Sequence, residues 1–409
     1  MRKVLQINVT ANWGSTGKIA EGINTVAHNH GWDCYFAYRC LFTPSISKLI
    51  KVGTFFDRYI HYIGSYLFDA EGLLSYYNTK KLLNNIKSIK PDIVHIHNIH
   101  DHWLNYKLLF EFLNQTDIKV VWTFHDFWAV TGHCMHFASV GCERYQTGCY
   151  NCPMQKVFPK SLMDRSRKNY EIKKRLFSAN KNLIVIPVSD WVGEQVRKSF
   201  LKDKEICVIN NGIDTSVFKP TSLDVLNTLS YSEFLTRTDG KYVIMSVASQ
   251  WKYDKGLNDY KAMAEMLEDD EIIVLVGVDD EVIADLPSKI IGIKRTTNVQ
   301  ELAALYTRAD VVTIMSSAET FGLTVIEGYA CGTPAVVYDN TAPPSLITAG
   351  TGIVAHDGDY IAAYSAIKTI KSHGKNYYSE SCRKLSISEY DNTVCFIRYF
   401  KLYNSLIDD

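Results

Sequence analysis

A chain of 409 residues has room for two or three domains, and with 46% hydrophobic residues it can bury a substantial core. Its 44 basic and 44 acidic side chains balance, so no strong basic field draws it to nucleic acid or anionic lipid. No run approaches the ~18 apolar residues of a membrane span, the first apolar run is too short for a signal peptide, and the expected setting is cytoplasmic. Ten cysteines there are expected as thiols or metal ligands rather than disulfides.

In chain order, Val4 to Val9 reads as a first strand. NWGSTGKIAEGI follows, with a helix starting near Thr16 or Gly17. Gly14, Ser15, Thr16 and Gly17 offer main-chain N–H groups to an anion, the other reading being a tight turn without a ligand. It is not a P-loop, because Asn12 stands where a glycine is needed, five residues before Gly17. Asp33 to Tyr38 is a second strand. Residues 55 to 90 read as helical and aromatic, through Phe55, Phe56, Tyr59, Tyr62, Tyr66, Phe68, Tyr76 and Tyr77, followed by Lys80, Lys81, Lys87 and Lys90. The expectation is a core-facing helix pair with a solvated end. The alternative is an interfacial helix making peripheral contact with the inner membrane face.

Residues 91 to 97 form another strand and lead into NIHDHW. Its histidines, His95, His97, His100 and His102, are expected as hydrogen-bonded structural groups rather than metal ligands. The strand Lys119 to Phe124 ends at His125-Asp126, an imidazole suited to bonding a hydroxyl, with Asp126 to orient it. An aperiodic insertion, residues 131–160, carries Cys134, Cys142, Cys149 and Cys152. The C-x2-C pair is half of a zinc pattern, and four thiolates can hold Zn²⁺ tetrahedrally in a segment with little apolar content of its own. Structural zinc is therefore expected here, with His133 and His136 as alternative ligands and disulfides or ion-free thiols as rivals. A helix at 164–179, a strand at 183–188 and a helix capped by Ser189 complete this half.

Asn211-Gly212 marks a turn into the second half, and residues 221–240 read as a linker or peripheral segment. Tyr242 to Ala248 opens a new series: helix 257–267, strand 271–277, a strand near Ile290 and helix 299–307. Such alternation means a parallel sheet. Lys255-Gly256 opens the first of these helices, where an ammonium suits a departing diphosphate. The acids of HDGD, Asp357 and Asp359, read as plain loop residues. Residues 388–409 form a last helix with an apolar stripe.

The most informative stretch is SSAETFGLTVIEGYACGTPAVVYDN, Ser316 to Asn340. Val311 to Met315 before it and Ala335 to Tyr338 within it read as buried strands, and Phe321 to Ala330 as a helix between them. Gly332 fits its stop, and Thr333-Pro334 bars continuation. The N–H groups of Phe321, Gly322 and Leu323 and the helix dipole make a phosphate seat. Glu319 lies at the carboxyl end of the preceding strand, where open α/β sheets place ligands. Glu327, eight residues on, can accept from a ribose diol. A phosphate seat flanked by two polyol acceptors points to a nucleotide-sugar.

This stretch closely resembles the E-x7-E signature of retaining glycosyltransferases of family 4. The resemblance implies the GT-B fold, an α/β architecture of two Rossmann-like parallel-sheet lobes with an interlobe cleft. It places an acceptor-side lobe at 1–205, a nucleotide-sugar lobe at 206–387 and a terminal helix, 388–409, returning to the first lobe. It implies that Glu319 contacts the donor sugar and Glu327 the ribose, that Gly17 sits in a cleft-facing loop, and that His125 lies near the anomeric carbon. The family carries an arginine five residues before Lys255. Here that position is Gln250, and Lys252 is the candidate substitute.

Glu319, His125 and Lys255 are thus the expected catalytic residues, and Gly17, Gln250, Phe321, Gly322, Leu323 and Glu327 the nucleotide-sugar contacts. The resemblance implies no catalytic metal and a saccharide or lipid-linked saccharide acceptor in polysaccharide biosynthesis. The alternatives are a nucleotide-sugar epimerase of the same fold, a dinucleotide oxidoreductase, against which stands the lack of GxGxxG after strand one, and a zinc-bound interaction module.

Overall fold

The computed structural model describes residues 1–251 and 253–408. Lys252 lies outside the described residues. The chain divides into two units, Met1–Asn210 with the chain end from Cys395, and Asn211–Val394.

Unit 1 runs β1 (Lys3–Ile7), α1 (Gly14–Asn29), β2 (Asp33–Tyr38), β3 (Lys48–Lys51), α2 (Phe55–Phe68), α3 (Tyr76–Ile89), β4 (Ile93–Ile96), α4 (Tyr106–Leu113), β5 (Lys119–Phe124), α5 (Ser166–Ala179), β6 (Leu183–Pro187), α6 (Asp190–Arg197) and β7 (Glu205–Ile206). Its strands pair in parallel in the order β3-β2-β1-β4-β5-β6-β7. β4 and β6 are buried along their whole length; β6, LIVIP, reads as a short unbroken apolar run, whereas β4, IVHI, carries the buried His95.

Unit 2 runs α7 (Ser232–Thr238), β8 (Tyr242–Val247), α8 (Leu257–Ala264), β9 (Glu271–Val276), α9 (Asp280–Ala284), β10 (Ile290–Ile293), α10 (Val299–Arg308), β11 (Val311–Ile314), α11 (Leu323–Ala330), β12 (Ala335–Tyr338), β13 (Gly352–Ala355), α12 (Tyr360–His373) and α13 (Lys375–Tyr390). Its parallel sheet has the order β10-β9-β8-β11-β12-β13. The last helix, α14 (Asn392–Asp408), sends Cys395, Phe396, Tyr399 and Tyr403 into the unit 1 core beside Val4, Ile23 and Ile184. In each sheet the strand order reverses once, between β1 and β4 and between β8 and β11. Such a switch point opens a crevice at the carboxyl strand ends.

Four expectations need correction. The helix expected near Thr16 begins at Gly14. The helix expected from Phe321 begins at Leu323, because Gly322 sits at φ +105°, outside the helical region. The segment 221–240, expected as a linker or peripheral segment, is not a bare linker, since it contains α7. Residues 55–90 are two helices, and α2 is not core-facing: its buried residues are His61 and Ser65, whereas Phe55, Phe56 and Ile60 are exposed by 73%, 77% and 66%. The inward side is polar because it must meet buried polar groups. Gly72 N–H donates to His61 Nε2 at 3.1 Å, and Ser65 Oγ donates to Glu71 Oε2 at 3.0 Å. α3 conforms to expectation, burying Leu82, Leu83 and Ile86.

Candidate active site

The switch point of unit 2 gathers the loop after β8 and the loop after β11. Ser317 N–H donates to the Asp254 carbonyl at 3.0 Å. Gly256, at φ +73°, starts α8 so close to β11 that a Cβ there would lie 2.4 Å from the Met315 carbonyl oxygen. Only glycine permits this approach. It brings Lys255 Nζ to 2.6 Å from Glu319 Oε1, with each side chain one-quarter exposed. Burial pulls the Lys255 ammonium down, but Glu319 outweighs it and holds the pKa above the ordinary lysine value. Glu319 is fixed by its backbone: its N–H donates to Thr341 Oγ1 at 3.1 Å, and its carbonyl accepts from Ala342 N–H at 3.2 Å. The loops after β8, β11 and β12 therefore meet at one acid–base pair.

Just beyond, Gly322 caps α11 without any side-chain capping bond. The N–H groups of Phe321, Gly322 and Leu323 have no acceptor among the described residues. Bare amides at a helix start are an anion seat. The Phe321 side chain is buried and faces the Tyr390 ring, so only its main chain serves the seat. Glu327 follows on α11 and accepts from Tyr306 OH at 2.8 Å. Burial, and then Glu327, push the Tyr306 phenol well up, so it stays a donor and orients one carboxylate oxygen. Tyr306 was not foreseen; on α10 it reads as ordinary core. Gln250 is exposed in the loop after β8.

In unit 1, His125 follows β5. Asn24 gives its amide hydrogens to the Tyr35 carbonyl at 3.2 Å and to Ser47 Oγ at 2.9 Å, so its Oδ1 accepts from Gln6 Nε2 at 3.1 Å. Gln6 Oε1 then accepts from His97 Nε2 at 2.8 Å, leaving His97 Nδ1 to accept from His125 Nε2 at 3.0 Å. This chain fixes His125 as the Nε2–H tautomer, with Nδ1 as its acceptor side. Burial pushes its pKa down to about 4, against the pull of Asp126, so the ring is neutral at pH 7. The expectation that Asp126 orients His125 is incorrect. Asp126 pairs with His100 Nε2 at 2.8 Å and caps Trp128 N–H at 2.8 Å, which leaves the orienting bond to His97. His95 bonds Tyr403 OH at 2.5 Å and Thr123 Oγ1 at 2.8 Å. Gly17 lies in the first turn of α1, where a Cβ would come within 2.7 Å of Thr10 Oγ1.

Cys134, Cys142, Cys149 and Cys152 line one small cavity together with His133 and are free thiols. Among the described residues, the one trio of His, Cys, Asp or Glu ligand atoms within 4.8 Å of one another is Glu268, Asp270 and Glu271. That trio is spoken for by Lys368 and Lys371, which lie within 3.4 Å of its carboxylates. The cysteines and His133 share one cavity, but no three of their ligand atoms lie within 4.8 Å of one another.

Two parallel sheets, each with one switch point, define the GT-B class. Solved structures of that architecture superpose along the whole chain. Sucrose-phosphate synthase from Thermosynechococcus elongatus matches at TM-score 0.74 and 16% identity, covering 100% of both chains. HepE from Anabaena, solved with UDP and glucose, matches at 0.65 and 14%, covering 99% of this chain and 100% of that one.

Residues 40–217 match the model for Glycosyltransferase Family 4, and residues 241–372 match that for glycosyl transferases group 1. Together the two glycosyltransferase models span most of the chain. A putative colanic acid biosynthesis glycosyl transferase, WcaC of Escherichia coli K12, is 26% identical over 64% of this chain. An N,N'-diacetylbacillosaminyl-diphospho-undecaprenol alpha-1,3-N-acetylgalactosaminyltransferase of Campylobacter jejuni is 26% identical over 54% of this chain. The matches span 63% and 60% of those relatives' own length, less than two thirds of each.

Proposed function

We propose that this protein transfers a sugar from a nucleotide-diphosphate donor to a saccharide or lipid-linked saccharide acceptor in surface-polysaccharide biosynthesis, with retention at the anomeric carbon. One observation carries the reading: Lys255 paired with Glu319 beside the bare amides of Gly322 and Leu323, with Glu327 on the helix those amides open. The diphosphate leaves the anomeric carbon, and its growing charge is met by the amides and by Lys255. An acceptor hydroxyl attacks from the same face. Its proton passes to an oxygen of the departing phosphate, so no protein carboxylate serves as base. Glu319 holds the sugar hydroxyls and Glu327 the ribose, and this reading calls on no catalytic metal. His125 is the unit 1 group that positions donor or acceptor, as a neutral imidazole. The UDP and glucose bound by HepE and the diphospho-undecaprenol in the Campylobacter enzyme's name support the donor and acceptor classes.

The test is a panel of UDP-, GDP- and dTDP-sugars scored for slow hydrolysis and for transfer to simple glycosides, with the product's anomeric configuration read by NMR. One donor class is expected to react, with the donor's configuration kept. An inverted product overturns retention. A sugar epimerised without acceptor identifies an epimerase instead.

The second part of the proposal is peripheral contact with an anionic membrane surface. Among the described residues no helix is long and apolar enough to cross a membrane. α2 nevertheless presents its apolar side outward, and Tyr77, Leu162 and Met163 extend the patch. Leu162 N–H donates to the Tyr66 carbonyl at 2.7 Å, so the two segments adjoin. Exposed Lys80, Lys81, Lys156 and Lys160 lie on the same segments and supply cations for lipid phosphates. Sedimentation with vesicles containing phosphatidylglycerol is expected to carry the protein down, and F55S/F56S/I60S to reduce binding at least tenfold. Equal recovery of native and variant chains in the supernatant contradicts this.

A further inference from the structure

We infer that His133, Cys134, Cys149 and Cys152 form a tetrahedral site for one structural Zn²⁺, with His133 rather than Cys142 as the fourth ligand. The insertion around it holds only short 3-10 turns between β5 and α5, so packing alone gives it little regular structure.

His133 is the decisive residue. Its side chain is wholly buried, and Nδ1 bonds Asp69 Oδ1 at 2.6 Å. The other carboxylate oxygen of Asp69 accepts from Arg165 N–H at 2.8 Å, so the acid is itself held in place. His133 Nε2 is buried without a partner. A carboxylate behind one ring nitrogen and a bare second nitrogen is the arrangement of zinc-bound histidines, and a buried nitrogen left unbonded is destabilising otherwise. The ring lines the same cavity as the cysteines.

The thiols are prepared in the same way. Gly132 N–H donates to Cys149 Sγ at 3.2 Å, the bond a thiolate ligand needs. A Cβ on Gly132 would lie 2.0 Å from the Ser166 carbonyl oxygen, so glycine is required for that approach. Cys152 N–H is anchored to Asp164 Oδ2 at 2.7 Å.

A cation completes the setting. Lys173 is buried, donates to the Trp128 and Thr131 carbonyls at 2.6 and 3.1 Å, and lies 3.4 Å over the Trp128 ring. Three thiolates, one imidazole and Zn²⁺ carry a net charge of −1, which a fixed ammonium offsets. Cys142 is half-buried, as Cys149 and Cys152 are; its N–H donates to the Phe137 carbonyl at 3.2 Å, and among the described residues its sulfur has no main-chain donor such as Gly132 gives Cys149. Binding the ion would draw the sulfurs in from their present spacing.

The experiment is metal analysis of the full chain purified without added ions or chelator, for the native protein and for H133A, C142S, C149S, C152S and D69N. About one zinc per chain is expected in the native protein and in C142S, with loss in H133A, C149S and C152S. D69N, which acts through His133, is expected to weaken zinc binding about 10–100-fold while a histidine ligand stays in place. If a variant fails to fold, the visible spectrum of the Co²⁺-loaded native chain decides, with tetrahedral bands and thiolate charge transfer expected. Zinc below a tenth of an equivalent with all thiols titratable, or two disulfides by mass, overturns the site. Zinc kept by H133A and lost by C142S overturns the ligand set.

Discussion

Lys255→Ala is expected to lower kcat by about 10²–10³-fold, the usual cost of removing one group aimed at charge that develops in the transition state. KM for the donor should change far less, because in the resting chain Lys255 already has a partner, Glu319, at 2.6 Å. The incoming phosphate exchanges one anion for another. The strengthened attraction arises only as the leaving group gains charge. Glu319→Gln should also fall steeply, since it removes the acceptor for the sugar hydroxyls and strands the half-buried ammonium. The pair acts as a unit, so the double variant should cost much less than the product of the two single losses. Initial rates for the four proteins with one donor check this. Full turnover by Glu319→Gln would leave the acid without a role.

Gly256→Ala is expected to destabilise unit 2 by about 3 kcal/mol or more, because backbone strain and a steric clash fall on one residue. Its φ of +73° is strained for any L side chain, and the new Cβ would meet a carbonyl oxygen at 2.4 Å, which no rotamer relieves. Gly31→Ala separates the two causes. Gly31 has φ +82° but nothing within 4 Å of a Cβ, so it should lose only about 1 kcal/mol. Urea midpoints for both variants decide it, and similar losses would mean that the approach to Met315 is not what requires glycine. The Gly256 variant should also lose turnover, since any relief moves Lys255.

The legible part of the site is the part written locally. A strand, an acid, a glycine, a helix and a turn follow one another from Val311 to Tyr338, so Glu319, Gly322 and Glu327 could be placed from spacing. Lys255 was found as a helix-start residue. Its pairing with Glu319 was not, because those residues meet only through the β8–β11 adjacency that the reversal of strand order creates. His125 is legible as a strand-end histidine, but its orienting partner is not. Asp126 is its neighbour along the chain, whereas His97 is its neighbour across the β4–β5 pairing. The same cause hid Tyr306, which looks like core until α10 and α11 pack together.

α2 misled for a different reason. Aromatic residues at helical spacing usually mark the buried side. Here the inner surface was already polar, set by Glu71 and its bonds to Ser65 and to the His102 N–H, so the helix turned its polar side in. Nothing in residues 55–68 alone reveals Glu71's burial. The cysteine cluster divides in the same way: C-x2-C is visible in sequence, whereas the Asp69–His133 bond joins residues 64 apart.

The most direct test of the central claim is an amide NMR titration of unit 2 resonances with the nucleoside diphosphate of the reacting donor. The account predicts the largest shifts at the Gly322 and Leu323 N–H groups, with Lys255 Nζ and the Glu327 side chain responding together, and loss of those shifts in Lys255→Ala. Saturable binding that leaves Gly322 and Leu323 unmoved would contradict it.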